Sequence, residues 1–593
     1  METITKAYEV IVVGGGLSGV CAAIASAREG AKTALVQDRP VLGGNASSEI
    51  RMHICGANKH GTRDEARETG ILEEILLENK KRNPQHSFSI LDTVLWEKVN
   101  FQERLTLYLN TRMTEVVVED HTIKSIRAHQ LTTDKDFEFK AKIFIDCTGD
   151  ATLAYRAGAD YRVGREAKSE LGETFAPEKS DNRTMGNTLM FRAIDYGKSM
   201  PFEKPSWAYT FTEKDLVNRG HSAINNELEH YEIDSGYWWI ELGGMEDTIG
   251  DAEEIRDELL KTVYGVWDHI KNGGEHGAQN YVLDWVQFLP GKRESRRIEG
   301  DYILKEQDLL EGKVFEDAVA YGGWPMDMHP PEGFKYRGPS TNYIQVPIYT
   351  IPYRSYYSRN IHNLMMAGRN ISASHMAFGS TRVMGTCAIG GQAVGTAAAL
   401  AIHYGCEPRG VLEYKTELQQ KLLKADCFIP GFRNEDKKDK ALNAKVKASS
   451  QKRGYDATHV INGIARNVEK EMNAWISQEL GASGEWIELK LKEQMPIQEV
   501  RITFDSDLGT EIMTTLSETV RSNQREQLPE TLVKDYEVEL LLEDEVIYSK
   551  QVKNNYQRHV IHSMANRRAN QVRIKIYTTW GNKEASIYEV RIY

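Results

Sequence analysis

An apolar run, YEVIVV, stops at three consecutive glycines, and a fourth glycine follows where small residues take over. Gly14, Gly16 and Gly19 thus form G-x-G-x-x-G between a β-branched strand and an alanine-rich helix (Ala22, Ala23, Ala25, Ala27). The first glycine permits a tight turn. The second lets a pyrophosphate approach the backbone, and the third lets helix and strand pack closely. The opening turn of the helix then offers N–H groups and the positive end of its dipole to phosphates. KTALVQ after Gly30 supplies a second strand, completing a βαβ unit of about 30 residues. A mere glycine-rich turn would need neither the strand before it nor the helix after it. The pattern therefore predicts an α/β, Rossmann-like dinucleotide-binding domain.

The second strand ends Val36-Gln37-Asp38, with glutamine where an acid usually grips the ribose hydroxyls. Gln37 can hydrogen-bond a hydroxyl and Asp38 is one residue away, so which of them makes the contact stays open. RPVLGGNASSEIR follows, and near residue 368 comes AGRNISASHMAFGSTRVMGTCAIGGQAVGTAA. At these residues the chain resembles the FAD-dependent oxidoreductase family of glutathione-reductase-type flavoproteins, near the branch of the succinate dehydrogenase and fumarate reductase flavoproteins. The resemblance spans residues 8–155 and 345–405, and the middle only loosely. It implies FAD as cofactor. It also implies that Arg39, Gly43, Gly44, Asn45, Ser47 and Ser48 line the pyrophosphate and flavin, with Gly149 and Asp150 in a turn beside the first strand. Gly368, Arg369, Gly391 and Gln392 would close the flavin end. The helix after Gly391 would aim its N-terminus at the N1–C2=O edge of the ring, where negative charge gathers on reduction. The competing reading of that glycine- and alanine-rich helix is a packed core element.

Oxidation of an alcohol or amine needs a base for the leaving proton, and histidine serves best near neutral pH. His375 lies between two segments assigned to the flavin, His53 follows the GGNASSEIR segment, and His329 sits in MDMHPPEG. His375 is the first choice because both its flanks are implicated. Against each stands the reading of a hydrogen-bonded structural histidine. In GKRESRRIEGDYIL, Arg293, Arg296 and Arg297 could hold a carboxylate or the charge of a reduced flavin, though Glu294 and Glu299 beside them fit a salt-bridged face as well. Trp238, Trp239 and Trp324 are candidates for stacking on a substrate, with core packing the commoner fate. Cys55 reads as a packed thiol, set against a covalent link to the flavin as the other reading.

At 593 residues several domains are expected. The reading is 1–155 as the first part of the FAD-binding domain, 156–354 as an inserted α+β substrate or cap domain and 355–430 as its second part. A charged linker at 431–445 then precedes 446–593, where strands of period two predict an all-β antiparallel sandwich. There Asn462, Gly463, Trp475, Ser477 and Trp486–Leu489 resemble the galactose-binding-like, discoidin-type module, which implies carbohydrate binding or assembly. A net charge of −12 without basic clusters argues against nucleic acid. The six cysteines are scattered and fit neither a zinc cage nor a dithiol centre, so no metal is expected. No leader and no stretch of roughly 20 apolar residues stand out, so a soluble cytoplasmic protein is expected, or an exported one if a leader was removed. Self-association into a homo-oligomer is left open. The functional expectation is hydride transfer to flavin N5 from an alcohol of a sugar, glycoside or similar small metabolite. Flavin-dependent reduction of an unsaturated acid, or a carbohydrate-binding scaffold with a vestigial flavin fold, are the other readings.

Overall fold

A computed structural model describes residues 3–221 and 232–593. The chain divides into two compact units. The first holds residues up to Gly56, Gln85–Tyr414 and Met513–Gln524; the second holds Ala57–Pro84, Lys415–Ile512 and Arg525–Tyr593.

The first unit is built on a five-stranded sheet. Its order is Leu364–Met366, Ile143–Asp146, Val10–Val13, Thr33–Val36, Leu105–Tyr108, and every neighbouring pair is parallel. Read from the other edge in chain order this is 3-2-1-4-5, the dinucleotide-binding arrangement. VIVV, TALV and IFID are buried at every position, as a parallel sheet covered on both faces requires. The chain leaves Val10–Val13 toward one edge and later returns on its other side at Ile143–Asp146. The crevice at the carboxyl ends of these two strands is the switch point where such sheets receive ligands.

Two helices of small residues pack above that point. Leu17–Arg28 lies against Met384–Tyr404 so closely that a Cβ added at Gly391 would sit 2.1 Å from Ser18 O, and one at Gly395 2.1 Å from Ala22 O. Gly391 and Gly395, four residues apart on one helical face, form the groove that admits the partner backbone. The second helix therefore begins at Met384, capped by extended Val383, and not beside Gly391 as expected from the sequence. It also corrects the expectation that no stretch is long and apolar enough to span a bilayer. It has 21 residues and passes by length and composition, but 89% of its apolar window is buried inside the protein.

The alternating run after Leu105 forms Thr111–Glu119 and Thr122–Gln130, an antiparallel ladder continued by Lys135–Lys140, beside which Ile4–Ala7 runs parallel. Between the two flavin-assigned stretches, short ladders such as Phe191–Asp195 on Tyr281–Val286 pack with the helix Ala252–Asn272 around Phe191, Trp239, Trp267 and Phe334. The second unit is largely antiparallel β-sheet, dominated by Glu485–Phe504 paired to His559–Thr579. The helix Ile71–Arg82 belongs to this unit. Buried Arg67, paired with Glu73 at 2.8 Å, donates to the carbonyls of Ser506, Asp507 and Thr510, tying the 57–84 segment to the sheet.

Candidate active site

A cavity of ≈ 540 Å³ opens at the switch point. Its walls include Gly14, Gly16, Gln37, Asp38, Arg39, Gly43, Gly44, Asn45, Ser47, Gly149, Asp150, Gly368 and Arg369, thirteen of the residues singled out for a cofactor. Gly19, Ser48, Gly391 and Gln392 stand outside this lining. Gly19 serves packing, since a Cβ there would lie 1.8 Å from Gly14 O. The amide of Ser48 donates to Asp92 Oδ1 at 3.1 Å, away from the cavity.

Gln37 is engaged within the protein. Gly15 N donates to its Oε1 at 2.7 Å and its Nε2 donates to Val41 O at 3.3 Å. That leaves Asp38 as the carboxylate on the rim. Asp38 is exposed to the cavity yet enclosed by its walls, and this desolvation raises its carboxyl despite Arg39 and Arg112 nearby. Asp150 shows the opposite balance. Burial alone would raise it, but Lys292 Nζ at 2.8 Å and Arg369, with a hydrogen bond from Ser295 Oγ at 2.8 Å, hold it below the usual carboxylate value. Gly149, at φ +79°, is where Arg369 crosses: a Cβ there would meet Arg369 Nη2 at 2.5 Å.

Beside the cavity, and sharing Asn45, Ile50, Lys292, Arg369, Arg382 and Met384 with it, is a chamber of ≈ 80 Å³. His53, Cys55, Thr188, Trp238, Gln287 and Arg293 are among its other walls. A buried chain of alternating charge fixes two of its three arginines, Arg293 and Arg382. Arg293 Nη1 lies 3.3 Å from Glu241 Oε2, which lies 2.7 Å from His329 Nδ1. His329 Nε2 lies 3.3 Å from Asp327 Oδ1, and Arg382 Nη2 lies 3.0 Å from Asp327 Oδ2. Burial works against both acids, yet His329 and the arginines keep Glu241 and Asp327 below ordinary carboxylate values.

The histidines separate accordingly. His53 lines the chamber. His329 is the middle of the tether behind the arginines. His375, the first choice from sequence, is buried at the start of the helix His375–Thr381, with Nδ1 2.9 Å from Glu294 Oε1 and its amide donating to Glu166 Oε2 at 2.8 Å. Arg297 belongs to the same knot, paired with Glu294 and with Glu166 at 2.8 Å. Both stand outside the lining of cavity and chamber. Of the tryptophans, Trp238 lines the chamber, Trp239 is core, and Trp324 packs with Cys55 and Val383. Arg382 and Lys292 were not singled out from sequence. The available signal was a cation inside each stretch already assigned to the site, STRVMG and PGKRE.

A family model described as FAD dependent oxidoreductase matches residues 9–422. The chain belongs to this family. FAD is thus its cofactor, and the enzyme is a FAD-dependent oxidoreductase. Solved structures also resemble part of the chain. A fucose binding module of Streptococcus pneumoniae, SpX-3, is 15% identical over 26% of this chain and 96% of its own, with a TM-score of 0.21. A chitosan-binding module from Paenibacillus sp. IK-5 is 16% identical over 26% and 98%, with a TM-score of 0.19. The family 32 CBM of C. perfringens NanJ in complex with galactose is 13% identical over 26% and 96%, also at 0.19.

The cavity of this oxidoreductase fits its cofactor on a local test. A Cβ at Gly14 would lie 2.2 Å from Cys147 O, so packing alone demands that glycine. Gly16 has an ordinary φ of −63°, and a Cβ there would meet nothing within 4 Å. Neither conformation nor packing requires glycine at 16; the space in front of it is cavity. Arg369 Nη1 and Arg382 Nε, both buried on the lining, have no hydrogen-bond partner among the described residues. Buried donors of this kind call for a ligand oxygen.

Proposed function

We propose that FAD lies along the cavity with its pyrophosphate at Gly14–Ser18 and Gly43–Gly44, its ribose toward Asp38, and its flavin toward Arg369 and Met384. When bound, the cofactor supplies a two-electron hydride acceptor at flavin N5. The substrate, in this reading, is a small hydroxylated acid, of the sugar-acid class, held in the chamber. Arg293 and Arg382 grip its carboxylate, since a guanidinium matches that group geometrically and stays charged. Trp238 offers an apolar face to the carbon skeleton. His53 accepts the hydroxyl proton as the carbon is oxidised. The walls from Thr188, Trp238, Gln287 and Arg293 come from residues 156–354, which supports a cap role for that segment. The sugar character draws on the sequence resemblance of residues 446–593 to galactose-binding-like modules.

The observation that carries the anionic class is that Arg293 and Arg382 face one small chamber, Arg382 Nε lacking a partner among the described residues. Anaerobic mixing of the FAD-loaded protein with matched neutral sugars and sugar acids, followed at the visible flavin band, tests it. Bleaching by the acids and not by their neutral counterparts is expected; equal bleaching by both would overturn it. The same arginines also favour reduction of an unsaturated acid. Reoxidation of pre-reduced enzyme by such an acid, without bleaching by any hydroxy acid, would establish that direction instead.

A further inference from the structure

Three imidazoles and one carboxylate meet far along the chain from the residues assigned to the flavin. Glu213 and His221 come from one loop. His269 comes from the last turn of Ala252–Asn272, and His276 from the loop after it. One ligand atom of each lies within 4.8 Å of all the others. His221 Nε2 is 3.2 Å from Glu213 Oε2, while His269 Nε2 and His276 Nε2 are 3.2 and 3.3 Å from Glu213 Oε1. Ligands of a tetrahedral zinc at 2.0–2.1 Å stand about 3.3 Å apart along each edge. The two edges from Glu213 Oε1, to His269 and His276, already have that length, and His221 stands at the same distance from the other oxygen.

The far side of the rings says which atoms face inward. His221 Nδ1 donates to Arg219 O, and His269 Nδ1 donates to Phe211 O at 3.1 Å. A carbonyl oxygen can only accept, so each Nδ1 carries its hydrogen and a neutral ring then presents a lone pair at Nε2. Backbone carbonyls orienting metal-binding histidines in this way are a general feature of such centres. Glu213 can likewise only accept, so its contacts with His221 Nε2 and His269 Nε2 need a cation between the atoms, a proton on the ring or a metal ion in its place. His276 Nε2, on a residue 5% exposed, has no hydrogen-bond partner among the described residues. Two glycines leave room for the rings: a Cβ at Gly273 would be 2.5 Å from His269 Nδ1, and one at Gly274 would be 3.2 Å from His276 Nε2. The carboxyl end of the Ala252–Asn272 helix adds a further preference for positive charge.

We propose that Glu213, His221, His269 and His276 bind one Zn²⁺, a closed four-ligand centre that pins the 213–221 loop to the end of the long helix. Three imidazoles and a carboxylate suit zinc, and four protein ligands mark a structural site. The proposal is independent of the substrate reading. Its test uses the tag-free, FAD-loaded full chain, stripped with a chelator and titrated with Zn²⁺ and, separately, with Co²⁺. One metal per chain, a Tm raised by several degrees, and the intense visible bands of four-coordinate cobalt are expected. The double variant His269→Ala/His276→Ala should lose all three while keeping its FAD. Wild-type protein that takes up no more metal than this variant, or whose Tm ignores Zn²⁺, would overturn the site. Should the double variant fail to hold FAD, Glu213→Gln and the wild-type cobalt spectrum decide: weak six-coordinate bands or none would overturn it equally.

Discussion

Gly14, Gly16 and Gly19 look alike in a motif and do different work. Gly14 and Gly19 yield to backbone oxygens of the protein itself, whereas Gly16 borders open cavity. The histidines divide as sharply. His53→Asn is expected to keep FAD and Tm while slowing flavin reduction at least about 100-fold, the usual scale for a lost general base. His375→Ala is expected instead to lower stability by roughly 1–3 kcal/mol through the lost buried hydrogen bond to Glu294 and the space the ring leaves. Parallel denaturation and stopped-flow reduction of the two variants check this. Asp150 adds a pH signature. Its folded carboxyl is held below the ordinary value, so it stabilises the chain at neutral pH, and that contribution is lost as pH falls through the depressed folded value. Asp150→Asn should therefore be less stable than wild type at pH 7, with the gap closing on acidification in urea titrations at several pH values. Thirteen of the seventeen cofactor candidates line the cavity, many of them in stretches where glycines advertise close approach. Gln37 was legible as a strand end but not in its role, because its acceptor, used by Gly15 N, is spent on a contact that only the folded turn creates.

Among the elements, the contact between Leu17–Arg28 and Met384–Tyr404 decides most. GGQAVG could be read as a cofactor-facing helix start or as a packing face, and composition does not separate the two. The starting point does: Met384 and Cys387 line the cavity while Gly391 lies two turns in, under Ser18. Gly391→Ala, whose Cβ meets backbone oxygen at 2.1 Å, is expected to cost about 1–3 kcal/mol in urea unfolding. The strands were easier. Continuous apolar runs marked the buried parallel sheet and alternation marked the antiparallel ladders, since each face imposes its own period. Only the pairing order needed the structure.

At the level of the whole molecule, the second compact unit takes residues 57–84 from the middle of the N-terminal sequence. Nothing in that stretch announces it, because the arginines that secure it are ordinary charges until they are buried: Arg67 on Glu73, Arg466 on the carbonyls of Glu65 and Arg67. The four-ligand His–Glu cluster was hidden for a related reason, its halves being separated in sequence by most of a long helix. For the molecule as an enzyme, everything converges on the cofactor cavity and on the side chain missing at 16. Gly16→Val should fold with an unchanged Tm and yet weaken FAD by more than about tenfold, over 1.4 kcal/mol, measured as flavin bound per chain on reconstitution. Equal flavin content in the variant and the wild type, both folded, would contradict the account.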